Sequence, residues 1–244
     1  MNRFFTSQAL AAEQTVALEA SIHQHAIKVL RMQPGAKLEL VDAHQHAYVA
    51  TIVKDTPLTV HVDAPLSQQV ELPIAVHLVC GVGKGDKAEW IVQKATELGA
   101  AKIDFANMQW GTAKWPKERV AKKLTRLQAI AQGAAEQSHR LMIPQVGFTT
   151  LEQLKLEQGV AGVVAYEEAA KHGEASQLVQ TVGRQPASLI AVFGPEGGLS
   201  PQEVTHLTQV GFAAAGLGPR IMRTETAPLY LLSAISALVE LQEI

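Results

Sequence analysis

The stretch Leu189-Ile190-Ala191-Val192-Phe193-Gly194-Pro195-Glu196-Gly197-Gly198-Leu199-Ser200-Pro201-Gln202-Glu203 contains a strand, a loop and a helix start. Its first five residues are an uninterrupted apolar run, the pattern of a strand covered on both faces in a parallel sheet. Its last four open a helix: Ser200 caps, Pro201 takes the first position and Glu203 closes a capping box. A plain turn needs one glycine; this loop has three and a glutamate. Glycines of this kind let backbone approach a ligand closely, and in open α/β sheets ligands sit at the carboxyl ends of strands.

Leu217-Gly218-Pro219-Arg220-Ile221-Met222-Arg223-Thr224-Glu225-Thr226-Ala227 has the same placement. It follows a predicted strand, Ala213–Leu217, and leads into a predicted helix, Thr226–Leu241, whose Leu231, Leu232, Ile235, Leu238 and Val239 face inward. A cap uses only one threonine, so Arg223, Glu225 and two threonines in one loop point to a polar pocket. Further out, Ile74–Cys80 and Val160–Ala165 are also apolar strands. Asp86–Leu98 and Lys117–Gln137 have helical apolar stripes, with Asp86 and Glu89 resembling a capping box and Gly99 at the stop. This alternation predicts an α/β fold with a parallel sheet. The loop Gly81-Val82-Gly83-Lys84-Gly85-Asp86 fits neither nucleotide-loop fingerprint, GxxxxGK[ST] or GxGxxG. It leaves Lys84 as a local phosphate contact.

Before about residue 70 the pattern is different. Lys37–Val41, Tyr48–Val53 and Leu58–Val62 read as short strands; Leu58, Val60 and Val62 alternate with Thr59 and His61. Ser21–Arg31 is the one helical piece. The reading is a small β-rich domain over 1–70, a linker around Ser67-Gln68-Gln69, and the α/β domain over 73–244.

The net charge of −2 argues against a partner held by bulk charge, but its distribution is uneven. Residues 1–72 carry 5 basic and 7 acidic side chains, residues 73–144 carry 11 and 6, and residues 145–244 carry 5 and 10. A basic block between two acidic ones points to a polyanion. Lys114, Lys117, Arg119, Lys122, Lys123 and Arg126 supply most of it from one helix face, and Arg140 is a candidate phosphate or base anchor.

Other chemistries find little support. His23 and His25 splay apart on a helix, and His44 and His46 flank a hairpin tip, so no metal site is expected. Cys80 is the only cysteine, in an apolar strand, which excludes an internal disulfide. GxSxG and HExxH are absent from the sequence. No apolar stretch is long enough for a bilayer, and no signal peptide is read at the start; a cytoplasmic protein is expected.

Taken in order, these motifs resemble the ribosomal small-subunit RNA methyltransferase E family of the SPOUT class. The resemblance is carried by Arg3-Phe4-Phe5, His25 with Val29-Leu30-Arg31 and Pro34-Gly35, and Lys84-Gly85-Asp86. Gln93–Gly99, Glu136-Gln137-Ser138 with Arg140, Gly194–Gly198 and Leu217–Ala227 complete it. It implies a PUA-like β-barrel for RNA, followed by an α/β domain with a deep trefoil knot, usually as a homodimer. It implies S-adenosylmethionine held by Tyr166, Gly194, Pro195, Glu196, Gly197, Gly198, Leu217, Gly218, Ile221, Met222, Arg223, Thr226 and Ala227. It implies methylation of N3 of a uridine in small-subunit ribosomal RNA near the decoding centre, on free RNA or the assembled subunit. Arg223, Arg140, Glu196 and Glu225 are the candidates for the chemistry. Arg3, His25, Arg31, Lys84, Lys94, Lys114, Lys122, Lys123 and Arg140 are the candidates for RNA. The alternatives are a knot methyltransferase with another RNA substrate and a non-catalytic RNA-binding knot protein. Two segments depart from the family pattern: Leu141-Met142 stands in place of an Arg-Asn-Arg run, and Asn107-Met108-Gln109-Trp110 in place of a Ser-Glu-Arg-Ser-like segment.

Overall fold

A computed structural model describes residues 1–171 and 176–241. The chain forms two compact units: Met1–Glu71 with Ala135–Met142, and Leu72–Ala134 with Ile143–Ile244. The single division read from the sequence leaves 135–142 in the second domain; by contacts this segment belongs with the first unit.

The first unit is built on β1 (Arg3–Phe5), β2 (Thr15–Ala17), β3 (Lys37–Val41), β4 (Ala47–Asp55) and β5 (Leu58–Leu66), paired in the order β1-β3-β4-β5-β2. β1 runs parallel to β3 and the other pairs are antiparallel. The alternation seen in β5 is real: Leu58, Val60 and Val62 pack with Phe4, Leu38, Leu40 and Ile52 in one core. The five strands form one sheet over that core, with β1 and β2 last in the pairing order. The two edge strands have three residues each, too short to support further pairing. The expected helix Ser21–Arg31 begins as α1 (Ala20–His23) and widens into a π-helical stretch, Gln24–Val29. It buries Ile22 and Ala26, and Arg31 follows it at φ 55°.

The second unit carries six parallel strands: β6 (Ala75–Gly81), β7 (Lys102–Ala106), β8 (Gln145–Thr149), β9 (Val160–Ala165), β10 (Ser188–Phe193) and β11 (Ala213–Ala215). Their order is β11-β9-β10-β6-β7-β8. Successive connections lead outward from β6 through β7 to β8, while β9, β10 and β11 fill the other half. The order therefore switches between β6 and β10, where the loops that follow adjacent strands diverge.

Both faces are covered, as the continuous apolar runs require. On one face Val76, Leu78, Ile103, Phe105, Leu189 and Ala191 pack with α2 (Lys87–Glu97), α3 (Lys117–Gln137), α5 (Gln177–Gly183) and α7 (Ala227–Val239). On the other, Val79, Ala106, Val164 and Val192 pack with α6 (Pro201–Gln209) and the turn Leu151–Gln153. The short α4 (Glu167–Lys171) follows β9. Register leaves the carboxyl ends level: Gly81 pairs with Ala106, Phe193 with Cys80 and with Ala165, and Ala215 with Ala165. The Ser200–Glu203 capping box forms as read. The one read at Asp86 does not: Asp86 makes no side-chain cap, and Glu89 instead takes Arg126 at 2.8 Å. No helix among the described residues is long and apolar enough to cross a membrane.

Candidate cofactor site and RNA-binding residues

The loops after β6, β7, β10 and β11 meet at the level carboxyl ends of the sheet. Close backbone packing joins the first three. A Cβ on Gly81 would lie 2.5 Å from the Pro195 nitrogen, and one on Gly197 2.6 Å from the Trp110 carbonyl oxygen. Within the 194–199 loop, a Cβ on Gly194 would meet the Gly198 carbonyl carbon at 2.8 Å. Gly198 and Gly218 have φ of 77° and 87°, a left-handed conformation that suits glycine and leaves bare backbone facing outward. The loop glycines singled out in the sequence are thus demanded by steric contact at Gly194 and Gly197 and by conformation at Gly198 and Gly218.

One cation ties three of these loops together. Lys87, in the first turn of α2, places Nζ 3.0 Å from Glu196 Oε1 and 3.1 Å from Glu225 Oε2. It also lies 3.5 Å from Thr224 Oγ1, and the Lys84 amide donates to Glu196 Oε1 at 3.1 Å. Thr224 donates to Glu225 at 3.1 Å. The Glu196 and Glu225 hydrogen bonds raise the Lys87 pKa, with Glu196 the larger influence and burial opposing it. Burial works against ionisation of both carboxyls, yet backbone amides and the Lys87 ammonium outweigh it and hold each below the ordinary carboxylate range. The two glutamates considered for the chemistry therefore hold a lysine, and a carboxylate so stabilised is a weak base. Sequence reading missed Lys87 and chose its neighbour Lys84. The signal that existed was its place in the first turn of a helix just after the Gly81–Asp86 loop.

The remaining cofactor candidates lie in the loops after β10 and β11, at the start of α7, and just after β9. Tyr166 is half-buried, and its amide donates to the Ala215 carbonyl at 3.0 Å, linking the ends of β9 and β11. Leu217, Gly218, Met222 and Ala227 are half-buried. Ile221 is 81% exposed, and Arg223 and Thr226 are exposed, with the Arg223 carbonyl accepting from the amides of Thr226 and Ala227. Bare backbone at Gly198 and Gly218, a half-buried ring and half-buried aliphatic side chains, beside one cation and two anions, form a cradle.

The RNA candidates divide. Lys84, Lys114, Lys122 and Lys123 are exposed in the second unit, Lys123 with Nζ 5.0 Å over the Trp115 ring. Lys94 is half-buried, 2.8 Å from Glu97 and 5.5 Å over Trp90. His25 and Arg31 are exposed in the first unit, the His25 ring edge-on to Phe4. Arg3 and Arg140 are corrections, because both are only 2% exposed. Arg3 gives Nε and Nη2 to Glu39 at 2.9 and 2.7 Å, Nη2 also to Gln68, and Nη1 to the carbonyls of His139 and Arg140. Arg140 is paired through Nε and Nη2 with Glu71, whose other oxygen takes the Leu141 amide at 2.8 Å. Their guanidinium groups hold the first unit together and are not presented to a ligand. Of the two arginines considered for chemistry, only Arg223 lies in the loop cluster. Among the described residues no group of three His, Cys, Asp or Glu side chains is placed to hold a metal.

Residues 70–236 match the family model for an RNA methyltransferase domain, and residues 22–64 match that for an RNA methyltransferase PUA domain. Fold and loops thus define an RNA methyltransferase carrying an N-terminal PUA-like domain. The chain is 40% identical to ribosomal RNA small subunit methyltransferase E of Bacillus subtilis, with 99% of this chain and 98% of that one covered. It belongs to the ribosomal RNA small subunit methyltransferase E family. Among solved structures, that of the Neisseria gonorrhoeae ribosomal RNA small subunit methyltransferase E bound to S-adenosyl methionine matches with a TM-score of 0.84 at 27% identity over 98% of both chains. A Legionella pneumophila putative methyltransferase in complex with the same cofactor matches with a TM-score of 0.82 at 30% identity over 96% of both.

Proposed function

We propose that this chain transfers the methyl group of S-adenosylmethionine to N3 of a uridine in small-subunit ribosomal RNA. The observation that carries the reading is the cradle at the β6/β10 switch point, tied by Lys87, in a chain that matches cofactor-bound relatives nearly end to end. Bound there, the cofactor supplies an electrophilic methyl group on a sulfonium. It carries a net charge of +1, and Lys87 with Glu196 and Glu225 leaves a local charge of −1 to complement it. Tyr166, Leu217 and Met222 offer apolar surface for its adenine, and the backbone at Gly194–Gly198 and Gly218 offers polar contacts.

The protein's own task is orientation. Alignment of a bound nucleophile with a bound methyl group removes much of the entropic barrier. Uridine N3–H is a weak acid, so negative charge grows on the base as its proton passes to water. Arg223, exposed in the cofactor loop, is the group we assign to stabilise that charge. Glu196 and Glu225, engaged by Lys87, act in holding the loops. Exposed Lys84, Lys114, Lys122 and Lys123, and separately His25 and Arg31, give sequence-independent phosphate contacts. A knotted path through the 194–199 and 216–226 loops, a homodimer and a cytoplasmic location belong to the same reading. The close packing of glycine backbones between loops supports the knot, and exposed Ile221 and Tyr230 support the dimer.

The test is methylation of small subunits, and of free small-subunit RNA, from a strain lacking this activity. Labelled 3-methyluridine in the digested nucleosides is expected. Label in another nucleoside favours a different RNA substrate, and binding without transfer favours a non-catalytic RNA-binding protein.

A further inference from the structure

The loop 107–115 contains one of the two departures read in the sequence, Asn107-Met108-Gln109-Trp110, and hydrogen bonds fix its backbone. Asn107 closes it: Oδ1 accepts the Trp115 amide at 2.8 Å and Nδ2 donates to the Trp115 carbonyl at 3.0 Å. The Gln109 amide donates to Glu203 at 2.8 Å, and the Gly111 amide to the Met108 carbonyl at 3.1 Å. Met108 and Trp115 are buried anchors, the latter with ring centroids 5.0 Å from Phe105 and 5.8 Å from Phe148. From this frame Trp110 projects 47% exposed, while its backbone lies against Gly197 and the loop's Gly111 faces Pro195. A half-exposed indole on a loop whose backbone is tied down by hydrogen bonds, beside the 194–199 loop, offers ring surface to a ligand with little further cost of ordering the backbone.

We infer that Trp110 is a stacking platform for the nucleobase that enters the site, and so a specificity-determining residue for single-stranded or flipped RNA. The inference rests on the function proposed above. N3 lies on the Watson–Crick edge of uridine, so the base must leave its pairing and stacking before it can react, which costs free energy. Stacking on an aromatic side chain offsets that cost. Lys114 and Lys117, exposed a few residues along, place positive charge where the flanking phosphates would run. The methyl donor's loop and the base platform are thereby one packed unit, joined at Gly197.

Two measurements test this. Loss of one stacked base corresponds to roughly a 5- to 150-fold change. Trp110→Ala should lower kcat/KM for RNA by that amount and leave cofactor affinity unchanged, with Trp110→Phe keeping most of the activity. In a Trp90→Phe background, a short uridine-containing RNA should quench tryptophan fluorescence, and adding Trp110→Phe should abolish the quenching. Persistent quenching without Trp110, cofactor affinity falling in parallel, or a change of oligomeric state in Trp110→Ala would each overturn the inference, the last by assigning this face to a second copy of the chain. If the unmodified protein methylates no uridine, the proposed function fails, and the quenching experiment still decides whether Trp110 stacks on RNA.

Discussion

Lys87 shows how a single side chain can define a site that local sequence does not announce. Its partners are more than a hundred positions away, and only the fold brings Glu196 and Glu225 to it. Lys87→Met would leave two carboxylates facing each other without their cation. We expect at least a tenfold loss of cofactor affinity by calorimetry with the fold retained; unchanged affinity would remove the lysine from the site. Arg3 makes the opposite point. Its charge and its place in the Arg3-Phe4-Phe5 motif suggest an RNA contact, yet the sheet buries it against Glu39. Breaking a buried pair by removing one partner costs about 3–5 kcal/mol. Arg3→Met should lower stability by that order in denaturant unfolding while leaving RNA affinity of the folded protein unchanged.

Elements were legible to the extent that their signals are local. Val160–Ala165 and Lys117–Gln137 have the same bounds in sequence and structure, because an unbroken apolar run and a long apolar stripe need no distant partner to be recognised. The start of α6 was legible for the same reason, since Ser200, Pro201 and Glu203 interact within one turn. Ser200→Ala removes a cap from a residue that is 1% exposed, and should cost about 1 kcal/mol in thermal unfolding. β1 and β8 were missed: the first has three residues and pairs with β3 far along the chain, and the second mixes Gln145 and Thr149 with apolar residues at a sheet edge. The Asp86–Glu89 pair matched a template and failed because Glu89 is taken by Arg126 from α3. On that helix the exposed basic face was read correctly as an element, and its use is measurable. Lys122→Gln should weaken binding to all RNA sequences alike. It should also flatten the dependence of log affinity on log salt by somewhat less than one unit of slope, the signature of a single phosphate no longer neutralised.

At the scale of the whole molecule, charge acts through pairs. Glu39, Asp104, Glu196 and Glu225 are all held below their ordinary pKa, each against the opposing effect of burial, by hydrogen bonds and nearby cations or backbone amides. A carboxylate whose folded pKa lies below its unfolded one stabilises the fold above the unfolded value, and the contribution is lost as pH falls through the folded value. Lys87 is shifted upward, so its contribution is present below its unfolded pKa and is lost only as pH rises through the folded one. The melting temperature should therefore be level between about pH 5 and pH 10 as far as these groups are concerned, and fall on the acid side below about pH 4.5. A melting curve that rose on acidification would contradict this. The Cys80 thiol, pushed up to about 12 by burial, stays protonated and inert throughout.

The membership of Ala135–Met142 in the first unit has a consequence for how the protein is made. Arg3 donates to the carbonyls of His139 and Arg140, and Glu39 accepts from His139 at 2.9 Å. The amino-terminal sheet emerges from the ribosome first, but its buried arginine must wait for these acceptors until another sixty-odd residues have followed Glu71. At synthesis rates of about 5–20 residues per second, that delay is on the order of several seconds. A nascent chain halted in that interval would hold an incomplete first unit, and a gene fragment cut at the apparent linker would encode one permanently.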